Sequence, residues 1–313
     1  MSIPLEPTLD GFPYPGMRYF AAVRPAFLSV TFVGCLLGLA SAAYASGVLN
    51  PLAATVTLLL ALLSHAGANV LNDYYDALSG CDAGNDERVF PFTGGSRMIQ
   101  NGVLSLRETR VFGYALLAVV IPAGLWLTAV SGSGLILIGL VGLITAWAYS
   151  APPFQLQARG LGEYGITVAW LLIVVGSDYV QRHAFSFTPI AAGLGFALLV
   201  ANVLYINQFP DLKADQQAGK RTLVVRLGPA CARWGYVLIA LLCYGWVLTM
   251  ILLEHLPSAA LVSLLPAVAS AVAARNLVAH AGEPAALLPG IKLTIAAASL
   301  HGLLLAAALS VMA

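Results

Sequence analysis

Charge is what this chain has least of: Asp, Glu, Lys and Arg together make up 9% of its 313 residues, where an ordinary soluble domain carries about 25%. That scarcity excludes a soluble globular domain. Its 15 basic and 14 acidic residues nearly cancel, and no Lys/Arg run is long enough to track a polyanion, so a nucleic-acid partner is not expected. The four cysteines, Cys35, Cys81, Cys231 and Cys243, are scattered without a CxxC pair, which argues against both a zinc site and a disulfide framework. They read as small packing residues.

What fills the chain instead is apolar, with 59% hydrophobic residues and a mean hydropathy of +0.86. A bilayer core takes about 20 apolar residues per helix. Nine such stretches follow, at about 26–45, 52–72, 111–130, 135–151, 161–180, 188–208, 234–253, 258–276 and 288–311. The fold expected is all-α: a polytopic membrane protein of about nine helices around a central cavity open near the cytoplasmic side, with a cytoplasmic segment 1–25 preceding a single transmembrane domain 26–313. Arg18, Arg24 and the small residues Ala40-Ser41-Ala42 resemble a signal peptide, but the polar leader of about 25 residues argues against cleavage. Turn-forming breaks such as 47–51, 131–134 and 255–258 join most spans, and only the loops 73–110 and 209–233 are long enough to hold chemistry.

Fourteen of the 15 Lys and Arg residues fall on one side of these nine spans, with Arg182 alone opposite. The positive-inside rule then places the N-terminus and both long loops in the cytoplasm and the C-terminus outside. In a bacterium this would be the inner membrane.

The scarce acids are concentrated. Residues 72–87 contain Asp73, Asp76, Asp82, Asp86 and Glu87, more than a third of all 14 carboxylates. Asn69, Asp73 and Asp76 stand at i, i+4 and i+7 at the end of the second span, and Asn207, Asp211 and Asp215 at i, i+4 and i+8 at the end of the sixth. If helical, each set lies along one stripe. Carboxylates at membrane depth cost about 2.5–3.5 kcal/mol each on insertion scales, so two such stripes call for a compensating cation. Hard oxygen ligands suit Mg²⁺, which commonly shares its coordination with substrate phosphates. A diphosphate is the natural ligand. Pro210 should kink or end the sixth helix. His65, one turn before Asn69, reads as a packed residue.

These residues resemble the motifs of the UbiA superfamily of intramembrane aromatic prenyltransferases, within it the 1,4-dihydroxy-2-naphthoate polyprenyltransferases. Asn72-Asp-Tyr-Tyr-Asp76 with Gly80 and Asp82 is similar to the first aspartate-rich motif. Asp211-x-x-x-Asp215 with Gly219-Lys-Arg-Thr-Leu223 and Val225-Arg-Leu-Gly228 is similar to the second, and Arg159-Gly-Leu-Gly-Glu163 to a further segment. Pro210 stands where many members have Arg, and Thr93-Gly-Gly-Ser-Arg97 replaces a shorter Gly-Pro-Leu-Arg form.

The resemblance implies that Asp73, Asp76, Asp211 and Asp215, with Asp82, hold Mg²⁺ against the diphosphate of a polyprenyl donor, and that Asn69, Asn207, Arg97, Lys220 and Arg221 bind that diphosphate. Ionisation yields an allylic cation, which Tyr74, Tyr75 or Tyr149 could shield, and which alkylates an aromatic acceptor. The partners are then a polyprenyl diphosphate, an aromatic acceptor and the bilayer, with no obligate protein partner expected. Hydroxybenzoate, homogentisate and chlorophyllide are alternative acceptors. Outside the class the rival is an ion-coupled transporter, whose acids would sit near span centres rather than at span ends.

Overall fold

The computed structural model describes residues 6–47 and 49–313. Residues 1–5 of the expected N-terminal segment, and Val48 in the turn 47–51, lie outside it. Among the described residues the regular structure is entirely helical. Twelve α-helices run in chain order: α1 (Pro15–Ala22), α2 (Pro25–Ser46), α3 (Pro51–Ser79), α4 (Leu106–Ser131), α5 (Gly134–Ala148), α6 (Gly162–Arg182), α7 (Thr188–Asn207), α8 (Leu212–Gln217), α9 (Leu223–Leu227), α10 (Pro229–Leu252), α11 (Ala267–His280) and α12 (Leu288–Val311). Among the described residues eight helical segments are long and apolar enough to span a bilayer, two of them, Ser258–His280 and Pro284–Val311, joining a 3₁₀ segment to α11 and α12, and α5 is a shorter apolar helix. The chain is an integral, multi-pass membrane protein.

Sequence chemistry sets the helix ends. Pro25, Pro51 and Pro229 open α2, α3 and α10 at the first helical position, where a missing N–H costs nothing and φ is already helical. Ser105 and Glu108 form a reciprocal capping box at the start of α4. Three boundaries differ from the hydropathy reading. The second span runs seven residues beyond position 72, because nothing in Asp73–Ser79 breaks a helix, so the Asn-Asp-Tyr-Tyr-Asp motif is helical rather than loop. The fourth stops at Ala148, because Pro152-Pro153 cannot continue it. At 15 residues α5 is about 22 Å long, short of a roughly 30 Å hydrocarbon core. The eighth span is a 3₁₀ segment, Ser258–Leu264, followed by α11, the change falling at Pro266.

α7 is the central pillar, with 78% of its apolar window buried. It packs against α2, α6, α10 and α12 around Val33, Leu37, Val174, Phe196 and Leu305. Small residues let these helices approach: a Cβ on Gly38 would stand 2.4 Å from the Val174 carbonyl oxygen, and one on Gly302 would stand 2.4 Å from Val33. In lipid, where tails are as apolar as leucine, such close packing drives association. α3, α4 and α5 complete the wall on the other side of α2 and α6. Between the two groups lies a cavity of about 640 Å³, lined almost wholly by apolar side chains of α2 to α7.

Candidate active site

The first acidic stripe survives into three dimensions. Because α3 stays helical through Ser79, Asp73 and Asp76 project from its last turns and are both buried. Gly80, at φ +76°, ends the helix in the left-handed conformation and turns the chain back, which brings buried Asp82 beside them. The loop closes over this group at Gly95, where φ is +72° and a Cβ would lie 2.4 Å from Asp82 Oδ2 and 3.0 Å from Asp73 Oδ1. Only glycine fits there. The Ser96 amide donates to Asp73 Oδ1 at 3.2 Å.

The second stripe is built differently. α7 ends at Asn207, Gln208-Phe209-Pro210 forms a turn, and Asp211 becomes the residue capping α8, which carries Asp215. Pro210 lacks the N–H that a continuing helix would need. The expected i, i+4, i+8 helix is therefore broken, yet Asn207, Asp211 and Asp215 still line one small polar cavity of about 110 Å³ together with Asp76 and Asp82. Lys220 closes it from the α8–α9 connection: Nζ lies 2.9 Å from Asp76 and 3.4 Å from Asp215, bridging the two motifs.

Burial without enough positive charge shapes the electrostatics. Desolvation, then Asp76 and Asp73, push the Asp82 carboxyl well above the usual range. Desolvation, then Asp215, raise Asp211 to about 7, against hydrogen bonds from Asn85 and Thr93. Burial alone would depress the Lys220 ammonium, but Asp76 and Asp215 outweigh it and hold the group firmly cationic. Such a cavity binds protons where it lacks cations, and a cation entering it displaces them. Asp82 Oδ2 is buried with no hydrogen-bond partner, as an oxygen awaiting a ligand would be. Among the described residues no three carboxylate, thiol or imidazole groups are already disposed around one ion, since Lys220 stands between the two sets. The donor chemistry, hard carboxylate oxygens with one orphaned, fits a hard divalent cation.

Other residues expected here are placed elsewhere. Arg97 is turned away from the cavity: its Nη1 donates to the Asp82 carbonyl and its Nε faces Glu6 at 3.6 Å, so it braces the loop from behind. Arg221 is exposed and joins the site only through its backbone, donating to Ala158 O at 2.7 Å and accepting from Arg226. Adjacent residues leaving a turn point in different directions, and Lys220 took the inward one. Asn69 lines the large apolar cavity rather than the polar one, its Nδ2 donating to Val23 O at 3.1 Å.

Several side chains that sequence reasoning passed over belong to the site. Asn72 Nδ2 lies within 3.1 Å of Asp76 and 2.9 Å of Gln157 Oε1, and Gln157 Nε2 donates to Asp76 at 3.0 Å. The i, i+4 relation of Asn72 to Asp76 was visible; Gln157, on the connection after α5, carries no signal of its own. Gln208 binds the buried Glu163 and Asn85 holds Asp211. The polar and apolar cavities meet at Arg24, Asn72, Tyr149, Leu204 and Asn207, which line both.

Comparison with known proteins agrees with this architecture. The model of the UbiA prenyltransferase family matches residues 26–310. A 1,4-dihydroxy-2-naphthoate octaprenyltransferase of Escherichia coli (strain K12) is 32% identical over 223 residues, covering 69% of this chain and 70% of that protein. A 2-carboxy-1,4-naphthoquinone phytyltransferase of Synechocystis is 26% identical, with 72% and 71% covered. A solved UbiA homologue from Archaeoglobus fulgidus, bound to DMAPP and Mg²⁺, shares the fold with a TM-score of 0.62 at 18% identity, over 94% of this chain and 99% of that one. The match over nearly the whole chain and the naphthoate relatives lead to one statement: this protein belongs to the UbiA prenyltransferase family.

Proposed function

We propose that this protein transfers a polyprenyl group from a polyprenyl diphosphate to an aromatic acceptor, 1,4-dihydroxy-2-naphthoate, in the biosynthesis of menaquinone or a related prenylquinone. The observation that carries this reading is the joint between the two cavities. A small carboxylate-lined chamber adjoins a roughly sixfold larger apolar one, with five lining residues in common, the arrangement needed by a donor with a charged head and a long hydrocarbon tail. The naphthoate relatives support the choice of acceptor.

In this reading Asp76, Asp82, Asp211 and Asp215, with Asp73 beside them, hold Mg²⁺, which when bound supplies charge neutralisation to the departing diphosphate. Lys220, kept cationic by its two aspartates, adds a fixed positive charge at the same place. Asn72 and Gln157 fix the orientation of Asp76. The C–O bond of the allylic diphosphate breaks with its electron pair passing to the diphosphate. The acceptor ring then forms the new C–C bond and regains aromaticity by losing a proton or carbon dioxide. Tyr149 lines both cavities at the joint, where its π face can shield the developing cation, and the apolar walls keep water from capturing it.

A single transmembrane domain over 26–313 would perform this chemistry, with residues 1–25 and both acidic loops on the cytoplasmic side, as the charge bias supports. The test is a product assay by mass spectrometry with geranylgeranyl diphosphate and a panel of aromatic acceptors. Prenylated naphthoquinol is the expected product. Consumption of donor only by hydrolysis, with every acceptor untouched, would overturn the reading.

A further inference from the structure

Glu163 is a buried acid that the chemistry above leaves unused. It stands in the first turn of α6, 9% exposed, and forms no ion pair among the described residues. A buried carboxylate without a counter-cation is costly, and the N-terminal end of a helix offsets only part of that cost. Its Oε2 has no hydrogen-bond partner either. Gly162, the residue before it, lines the carboxylate chamber, whereas Glu163 itself lines neither cavity. Whatever it contributes to the chamber passes through a neighbour.

That neighbour is Gln208. Its Nε2 donates to Glu163 Oε1 and its Oε1 accepts from the Val224 amide at 3.4 Å, so both ends of one side-chain amide are engaged. Gln208 follows the last residue of α7, stands three positions before Asp211, and lines the chamber with Asp211, Asp215, Lys220 and Thr222. Val224 is fully buried and belongs to α9, four positions beyond Lys220. A single amide thus joins the first turn of α6, the turn that delivers Asp211 and the segment that delivers Lys220. Neither of the last two rides on a continuous helix: α7 has ended at Asn207, and Gly219, at φ +75°, interrupts the chain between α8 and α9. The orientation of that amide matters, because a side-chain amide can present either end to a partner, whereas an ionised carboxylate only accepts. Glu163 therefore takes the N–H end and turns the carbonyl end toward Val224. Reversed, the amide would set oxygen against oxygen at Glu163 and leave the buried Val224 N–H unpaired, which is costly.

We propose that Glu163 is a positioning residue for the second metal-binding wall: by fixing the orientation of Gln208 it sets the turn that carries Asp211 and the segment that carries Lys220. It touches neither cation nor diphosphate, and its effect is on how well the chamber is formed before they arrive. The assignment rests on the reading of that chamber as a site for a divalent cation and a diphosphate.

The experiment follows Mn²⁺, as a probe for Mg²⁺, by loss of the free-ion electron paramagnetic resonance signal in the presence of geranylgeranyl diphosphate, and separately the rate of donor consumption per folded enzyme across a Mg²⁺ titration. It uses wild type, Glu163→Ala, Glu163→Gln, Gln208→Leu and the Glu163→Ala/Gln208→Leu double variant. Glu163→Ala should weaken Mn²⁺ binding and raise the half-saturating Mg²⁺ concentration by about tenfold, the low end for lost support of metal-binding groups. Its rate at saturating Mg²⁺ should stay within about threefold of wild type, because every ligand is still present. Glu163→Gln, whose carbonyl can still accept from Gln208, should recover most of the affinity. The double variant should be no worse than the more affected single one, since both remove the same link. A rate that falls at every Mg²⁺ concentration with unchanged Mn²⁺ affinity would make Glu163 structural, and effects that add in the double variant would break the link to Gln208; either overturns the proposal. Should Glu163→Ala fail to fold, Gln208→Leu alone decides: the same shift supports the proposal and normal Mn²⁺ affinity overturns it. Wild type that binds no Mn²⁺ even with the diphosphate present fails the underlying reading of the chamber instead.

Discussion

The two acidic motifs have nearly the same chemistry and different architecture. Asp73 and Asp76 ride the last turns of one unbroken 29-residue helix, whereas Asp211 and Asp215 sit beyond a helix that has already ended, on a separate six-residue one. The first set is placed by its helix and closed over by Gly95, and of its two helical acids Asp76 also meets Gln157 and Lys220 from outside. The second is fixed from outside, by Asn85 on Asp211 and by Cys81 and Lys220 on Asp215. Equivalence between the two motifs is therefore a property of where carboxylates arrive, not of the backbone that carries them. In the proposed function, the wall set on one continuous helix, the rigid one of the pair, faces across the bound cation and diphosphate a wall positioned by side-chain contacts.

The most disruptive way to break the pairing is to remove a carboxylate from the rigid wall. Asp76 accepts from Asn72 and Gln157 and pairs with Lys220, so Asp76→Asn removes the charge at the centre of the network while keeping its shape. Turnover per folded enzyme should fall by about a thousandfold, the upper end for loss of one preorganised electrostatic group. EDTA should have the same effect on wild type, reversed by added Mg²⁺. Full activity without a divalent metal would refute the cation's role.

Next in size is the charge that joins the walls. Lys220→Gln should raise the donor KM by roughly tenfold to a hundredfold, since truncating one member of a buried charge pair costs about 2–5 kcal/mol, much of it from charges left unpaired. It should also lower Tm, because Asp76 and Asp215 are then left facing each other. Arg221→Ala should change neither constant by more than about twofold, its side chain being exposed and outside the cavity. Equal effects of the two would show that the second wall rearranges to bring Arg221 inward.

Much of this was legible before any coordinates. Hydropathy located the nine apolar helical stretches because lipid demands one simple property over about 20 residues; the concentration of scarce acids drew attention to 72–87, and the repeated Asn-x-x-x-Asp spacing to 207–215. Side-chain direction after a helix ends was not legible. Lys220 and Arg221 are neighbours with the same charge, and only the turn at Gly219 and the Arg221–Ala158 backbone bond decide which one enters. Arg97 was misplaced for a similar reason: the partner that draws it backward, Glu6, is 91 positions away in sequence. That Arg24 lines both cavities was not legible either, because its left-handed backbone leaves no mark in composition.

Gly95 tests how rigid the first wall must be. Gly95→Ala places a methyl 2.4 Å from Asp82 Oδ2, on a backbone at φ +72° that alanine resists. The loop must shift outward or Asp82 must turn, and activity should drop by about tenfold to a hundredfold, the range for lost support of a metal-site carboxylate. The apparent affinity for Mg²⁺ should weaken with it. A variant with normal metal dependence would mean that Asp82 contributes no ligand.

The smallest effect should come from the brace behind that wall. Glu6 pairs with Arg88 at 2.6 Å, accepts from Asn101 at 3.2 Å and faces Arg97, tying the N-terminal segment to the loop that carries Gly95. Its side chain is 28% exposed, so water screens the interaction, and an exposed pair of this kind is worth about 0–1 kcal/mol. Glu6→Gln keeps the hydrogen-bonding shape and removes the charge. Turnover and both Michaelis constants should stay within about twofold, because the loop is still pinned by the Ser96 amide on Asp73 and by Arg97 on the Asp82 carbonyl. What should change is salt dependence: wild-type Tm should fall slightly between low and high ionic strength, while that of Glu6→Gln should start lower and fall less. A large loss of activity in this variant would mean that the first wall is held from its back, and that the contrast between a self-supporting motif and an externally braced one is wrong.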